Sequence, residues 1–103
     1  MNARLKRRTD LTTQSFSYVA GKIAQSSHPA TYEQILAEAE KHRSALRLMQ
    51  RDVTDFANEG LRTKTLSYLR AQRMRDTAAK TIELAQDAIT RIASQYAPQK
   101  MAA

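Results

Sequence analysis

From Tyr32 to Phe56 the apolar positions recur at alternating steps of three and four. The series Tyr32, Ile35, Ala39, His42, Leu46, Met49, Val53 and Phe56 is an unbroken heptad seam and predicts one long helix with a single apolar stripe. Thr31 and Gln34 have the spacing of a capping box at its start, where hydroxyl and amide each satisfy a free backbone N–H. Gly60 falls where a C-terminal cap belongs, so helix 2 is expected over residues 31–58. A second series keeps the same steps: Leu61, Lys64, Tyr68, Ala71, Arg75, Ala78, Ile82, Ala85, Ile89, Ile92 and Tyr96. It predicts helix 3 over 61–97, ended by Pro98. Upstream, Phe16, Val19 and Ile23 share a face and Asp10 is a candidate N-cap. These predict a short helix 1 over 10–26, which the Ser26-Ser27-His28-Pro29 stretch breaks. Residues 1–9 read as a basic tail.

Folding helices 2 and 3 back on each other about Gly60 aligns the two seams. Val53 then faces Tyr68, Met49 faces Ala71, Leu46 faces Arg75, His42 faces Ala78 and Ala39 faces Ile82. Large residues meet small ones, as interdigitating layers require. The expected fold class is all-α: a short N-terminal helix, then a long antiparallel coiled-coil-like hairpin, as a three-helix bundle or a hairpin dimer. A DNA-reading helix-turn-helix around Gly60 fits less well. Phe56, four positions before the glycine, is too bulky for a close crossing, and Glu59 stands where an apolar residue belongs.

Composition agrees with one helical domain over residues 1–103. Two glycines and two prolines are too few to punctuate a β-rich fold. The chain has no cysteine, which removes disulfides, thiol catalysis and cysteine-based metal sites. The apolar stretches are too short to span a bilayer. The basic start lacks the apolar core of a signal peptide, so a cytoplasmic location is expected.

Charge adds a candidate surface. The formal net charge is +7, and residues 41–80 carry ten basic side chains against four acidic ones. Arg43, Arg47 and Arg51 are successive i,i+4 neighbours, a repulsive spacing within a helix. Arg70 and Arg73 add a pair on helix 3. A stripe that opposes helix stability suggests an anionic partner, phosphate or an acidic protein surface. Leu36, Leu48, Met74 and Leu84 lie off the seams and form a candidate apolar contact surface.

No constellation for catalysis stands out. His28 and His42 are the only histidines. Glu38 and His42 could start a metal pair but have no third ligand, so no metal or cofactor is expected. Arg75 reads as a seam residue whose stem packs while its head reaches water. The expectation is a non-enzymatic assembly or interaction subunit, self-associating and docking an acidic partner protein through its long helices and basic face. Small helical-hairpin components of bacterial secretion machines, their chaperones and phage-encoded inhibitors share this size, an analogy of shape alone. The alternative is a nucleic-acid binder that grips backbone without reading sequence, with Arg43, Arg47, Arg51, Arg70 and Arg73 on phosphates.

Overall fold

The computed structural model of the chain describes residues 2–26 and 30–98. They form three helices: α1 (Asn2–Ala24), α2 (Thr31–Arg62) and α3 (Tyr68–Ser94). The histidine and proline of the expected breaker, His28 and Pro29, lie outside the described residues. The body measures 60 × 26 × 19 Å, a rod longer than the roughly 48 Å that its 32-residue helix α2 spans at 1.5 Å per residue.

α1 is longer than the sequence pattern indicates, because the basic stretch is helical rather than a tail. Leu5, Thr9, Phe16 and Ala20 are buried along one face. Thr9 takes an apolar slot at 1% exposure because its hydroxyl donates to the Lys6 carbonyl at 2.8 Å. With its one donor satisfied, the side chain packs like a valine. Asp10 does not cap the helix; it lies within it and pairs with Lys6 at 2.7 Å.

α2 starts as expected but is capped differently. Ala30 holds the cap position without a side-chain bond, and the Gln34 N–H donates to its carbonyl at 3.0 Å. Thr31 is already helical, so the capping box does not form. At the other end the helix runs straight through Asn58, Glu59 and Gly60 to Arg62. The turn is made by Lys64, which has φ 61° in the left-handed region that ends many helices. The Gly60 carbonyl accepts from the N–H groups of both Thr65 (2.9 Å) and Leu66 (3.1 Å). Gly60 is needed for closeness, not for a bend: a Cβ there would lie 2.6 Å from Leu66 Cγ. Ser67 then caps α3, its hydroxyl accepting from the Arg70 N–H at 3.2 Å.

Moving the turn from Gly60 to Lys64 shifts the whole hairpin register. Two hydrogen bonds between the helices set it: Arg75 to Asn58 Oδ1 at 2.8 Å and Arg43 to Thr90 Oγ1 at 2.8 Å. These contacts lie the same distance apart along both helices, so α2 and α3 run antiparallel over several turns, unlike the steep crossing of a DNA-reading motif. Leu46 therefore does not face Arg75. It is fully buried in a core with Phe16, Ala20, Ile35, Ala39, Ile82, Ala85, Ile89 and Ala93. The expected seams hold from Ile35 to Val53 and from Ala71 to Tyr96. Beyond Val53 the buried positions become Ala57 and Gly60, leaving Phe56 56% exposed and Tyr68 72% exposed. A straight helix of about 3.6 residues per turn drifts off a strict heptad in this direction.

α1 lies antiparallel to α2 and parallel to α3. Arg4, Leu5 and Arg8 line one crevice with Val53, and the Phe16 ring packs on the His42 ring at 5.4 Å. On the other side Thr9 and Thr13 share a groove with Thr81, Ala85 and Ala88. The first turns of α1 thus lie beside Val53, and the helix runs from there toward the start of α2. No helix among the described residues is long and apolar enough to cross a membrane.

Candidate interaction surface

The five expected cations do not form one patch. Arg43 and Arg47 are engaged within the chain: Arg43 donates to Thr90, and Arg47 donates to Glu40 Oε1 at 2.6 Å and to Ser44 Oγ at 2.8 Å. Hydrogen bonding and charge from Arg47, with a smaller contribution from Arg43, hold the Glu40 carboxyl below the usual glutamate range. The register also sets Glu83 and Asp87 of α3 level with Arg51 and Arg47 across the hairpin. The acid that engages the stripe is Glu40 on α2 itself, 2.6 Å from Arg47 and 3.9 Å from Arg43. Arg51 is exposed and has no hydrogen bond or ion pair among the described residues.

Arg70 and Arg73 belong to a different face. Eighteen residues make five full turns at about 3.6 per turn, which puts Arg70 in line with Ala88 and Arg73 in line with Arg91. Ala88 and Arg91 both line the groove against α1. The pair thus sits on the α1 side of α3, beyond the point where α1 begins. Three arginines that the pattern assigned to a tail, Arg4, Arg7 and Arg8, are exposed on the first turns of α1 at this same end. The signal that could have found them is Leu5 followed by Thr9, a buried face once threonine is allowed an apolar position.

The expected apolar surface is dispersed. Leu36, Leu48 and Leu84 are exposed and Met74 is half-buried. Leu36 and Leu48 stand a third of a turn apart on α2, and Leu84 borders the α1–α3 groove, so no continuous patch joins them. Of the large exposed side chains, Tyr68 and Leu69 stand beside the turn and Phe56 stands more than two helical turns back along α2.

Chemistry remains sparse. Two of the threonines lining the α1–α3 groove, about 370 Å³, already use their hydroxyls: Thr9 donates to the Lys6 carbonyl and Thr13 to the Thr9 carbonyl. His42 is half-buried and its Nδ1–H donates to the Glu38 carbonyl at 2.7 Å, with the Glu38 carboxylate 4.0 Å away. This histidine packs against α1 as a core residue. Among the described residues no group of three His, Asp or Glu is placed to hold a metal ion. Nor does any buried side-chain nitrogen or oxygen there lack a partner. Arg75 is tied at both ends of its guanidinium, to Asn58 and to Gln72 Oε1 at 2.7 Å; it is a clamp between α2 and α3.

The chain matches no family model, no curated protein and no solved structure.

Proposed function

We propose that this chain is a non-enzymatic interaction subunit that docks an acidic partner protein through the turn end of the rod. The observation that carries the reading is convergence. Arg4, Arg7, Arg8, Arg70 and Arg73 are exposed in the half of the rod that holds the turn, without an ion pair among the described residues, and Phe56, Tyr68 and Leu69 are exposed in the same half. Arginine next to large apolar side chains is the composition of an interface centre. The α2 stripe is the weaker part of the earlier expectation, since Arg43 and Arg47 have partners of their own.

A second reading, a grip on nucleic-acid backbone, rests on the same free arginines. Asp52 and Asp55 are exposed on either side of Val53, which lines a crevice with Arg4 and Arg8, and acids there would repel phosphate, so the protein partner is preferred. Affinity capture from the native host, with and without nuclease, separates the two. The expected result is a protein partner retained after nuclease and lost when Arg4, Arg7, Arg8, Arg70 and Arg73 are all replaced by Gln. Capture that vanishes with nuclease, or that survives the five replacements, overturns the reading. A circular-dichroism melt checks that the variant stays folded.

A further inference from the structure

We infer that two copies of this chain exchange α3, each opening its hairpin so that α2, the turn and α3 become one helix over residues 31–94. The observation behind it is phase. Residues 18, 36 or 54 positions apart lie in line on a continuous helix of about 3.6 residues per turn. Each buried residue of α2 has a buried residue of α3 at one of those spacings: Gly60 with Ala78, Ile35 with Ala71, Leu46 with Ile82, and both Ala57 and Ala39 with Ala93. The core faces of the two helices thus fall on a single stripe once the turn is helical. A hairpin imposes no such phase, since its loop can rotate the second helix to bring any face inward. Two long helices paired antiparallel do require it, because each copy must offer the other one continuous face.

Exchange keeps the native register. The interhelical bonds from Arg75 to Asn58 and from Arg43 to Thr90 share one midpoint in sequence, between Leu66 and Ser67. A two-fold axis through that point of two opened chains re-forms both bonds between the copies. Phe16 keeps its contact with His42 of its own chain, and the second copy supplies the Ile82 and Ile89 that complete the core around it.

The turn is where the closed form is weakest. Between Gly60 and Pro98 the chain has no glycine or proline, so no residue there forbids a helix. The closed turn nevertheless needs a left-handed residue, and Lys64 supplies it at φ 61°, a conformation that glycine adopts at less cost. Thr63 is already in the helical region. Carrying Lys64 into that region relieves the strain, and short hinge turns under strain favour exchange between copies. The packing of Leu66 on Gly60 holds the closed form against this, so monomer and exchanged dimer compete and concentration decides between them.

The test refolds the full chain from urea at high concentration and reads its mass by sedimentation equilibrium. The chain has no cysteine, so Lys41→Cys with Asp87→Cys gives one donor and one acceptor dye on exposed positions of α2 and α3. In the closed hairpin these dyes lie near each other. On one continuous helix they stand about 70 Å apart at 1.5 Å per residue. Labelled chain refolded with excess unlabelled chain should yield a dimer fraction with energy transfer lost and a monomer fraction with it retained. Lys64→Gly suits the closed turn and weakens the continuous helix, so it should raise the dimer dissociation constant by about tenfold or more. T63A/K64A/T65A should lower it, because alanine favours the continuous helix. A circular-dichroism melt checks that both variants fold. Chains that stay monomeric at every concentration after refolding overturn the inference. So does a dimer that retains full energy transfer, which pairs closed hairpins side by side, and so does a dimer equally stable in Lys64→Gly.

Discussion

The two ends of the rod are built from the same two long helices and held by different means. At the α1 end, Phe16, Ile35, Leu46, Ile82 and Ile89 are fully buried between three helices. At the turn end the buried positions of α2 and α3 are Ala57, Gly60 and Ala71. Large side chains hold helices together by area removed from water, about 25 cal/mol per Å². Small ones supply little area and instead let two backbones approach. The turn end then depends on polar geometry: the Arg75 clamp, the doubly used Gly60 carbonyl and the Ser67 cap. An end fixed that way can leave its outer faces apolar and charged, and so available, without dissolving the core behind it.

Substitutions should separate the two ends by magnitude. Leu46→Asp places an unpaired carboxylate in the core, with Arg75 too far along the hairpin to answer it. A loss of several kcal/mol is expected, enough to abolish cooperative thermal unfolding followed by circular dichroism. Phe16→Ala should cost about 3–5 kcal/mol, because the cavity opens among residues of all three helices. A melting temperature within a few degrees of the parent for either variant contradicts the three-helix core.

The turn end should respond less. Gly60→Ala forces Leu66 to move and should cost about 1–3 kcal/mol by overpacking. Hydrogen exchange read by mass spectrometry should locate the change in residues 54–75 and spare residues 35–49. Protection lost equally along the rod would mean that the two ends unfold as one unit. Smaller still is the acid response. Glu40 and Glu59 are both held below the usual glutamate range, by Arg47 and by Arg62 respectively. A lowered carboxylate pKa adds stability that is present at neutral pH and is lost as pH falls through the folded-state value. Stability should therefore be flat from neutrality to about pH 5 and decline below about pH 4, with a shallower decline in E40Q/E59Q. The least effect belongs to Lys64→Gly, which relieves a side chain at φ 61° and should stabilise by about 0.5 kcal/mol in urea titration.

The all-helical class and most of both seams were legible because apolar periodicity is a local signal. What was not legible came from interactions between segments. Gly60 reads as a stop on its own, and only Leu66 folding back onto it explains why a glycine sits inside a helix. That one misplacement moved every predicted pair across the hairpin, including Leu46 with Arg75. Thr9 hid the start of α1, since its polarity is cancelled by a bond to a carbonyl three residues away. The candidate surface suffered most. Arg43, Arg47 and Arg51 form a stripe in sequence, but Thr90 and Glu40 engage two of them, and Arg4 and Arg8 enter the picture only because α1 carries them alongside Val53.

The parallel course of α1 beside α3 bears on how the chain acquires its shape. Residues brought together at the turn end, such as Asn58 and Arg75, are close in sequence, and the loop between them closes at little entropic expense. The core instead joins Phe16 and Ala20 to Ile89 and Ala93, from opposite ends of the chain. On a ribosome the first helix can meet α2 once that helix has emerged, but the core that joins Phe16 and Ala20 to Ile89 and Ala93 closes only when α3 follows. Refolding should accordingly show the α2–α3 turn forming early and weakly, with the cooperative step arriving only when α1 docks.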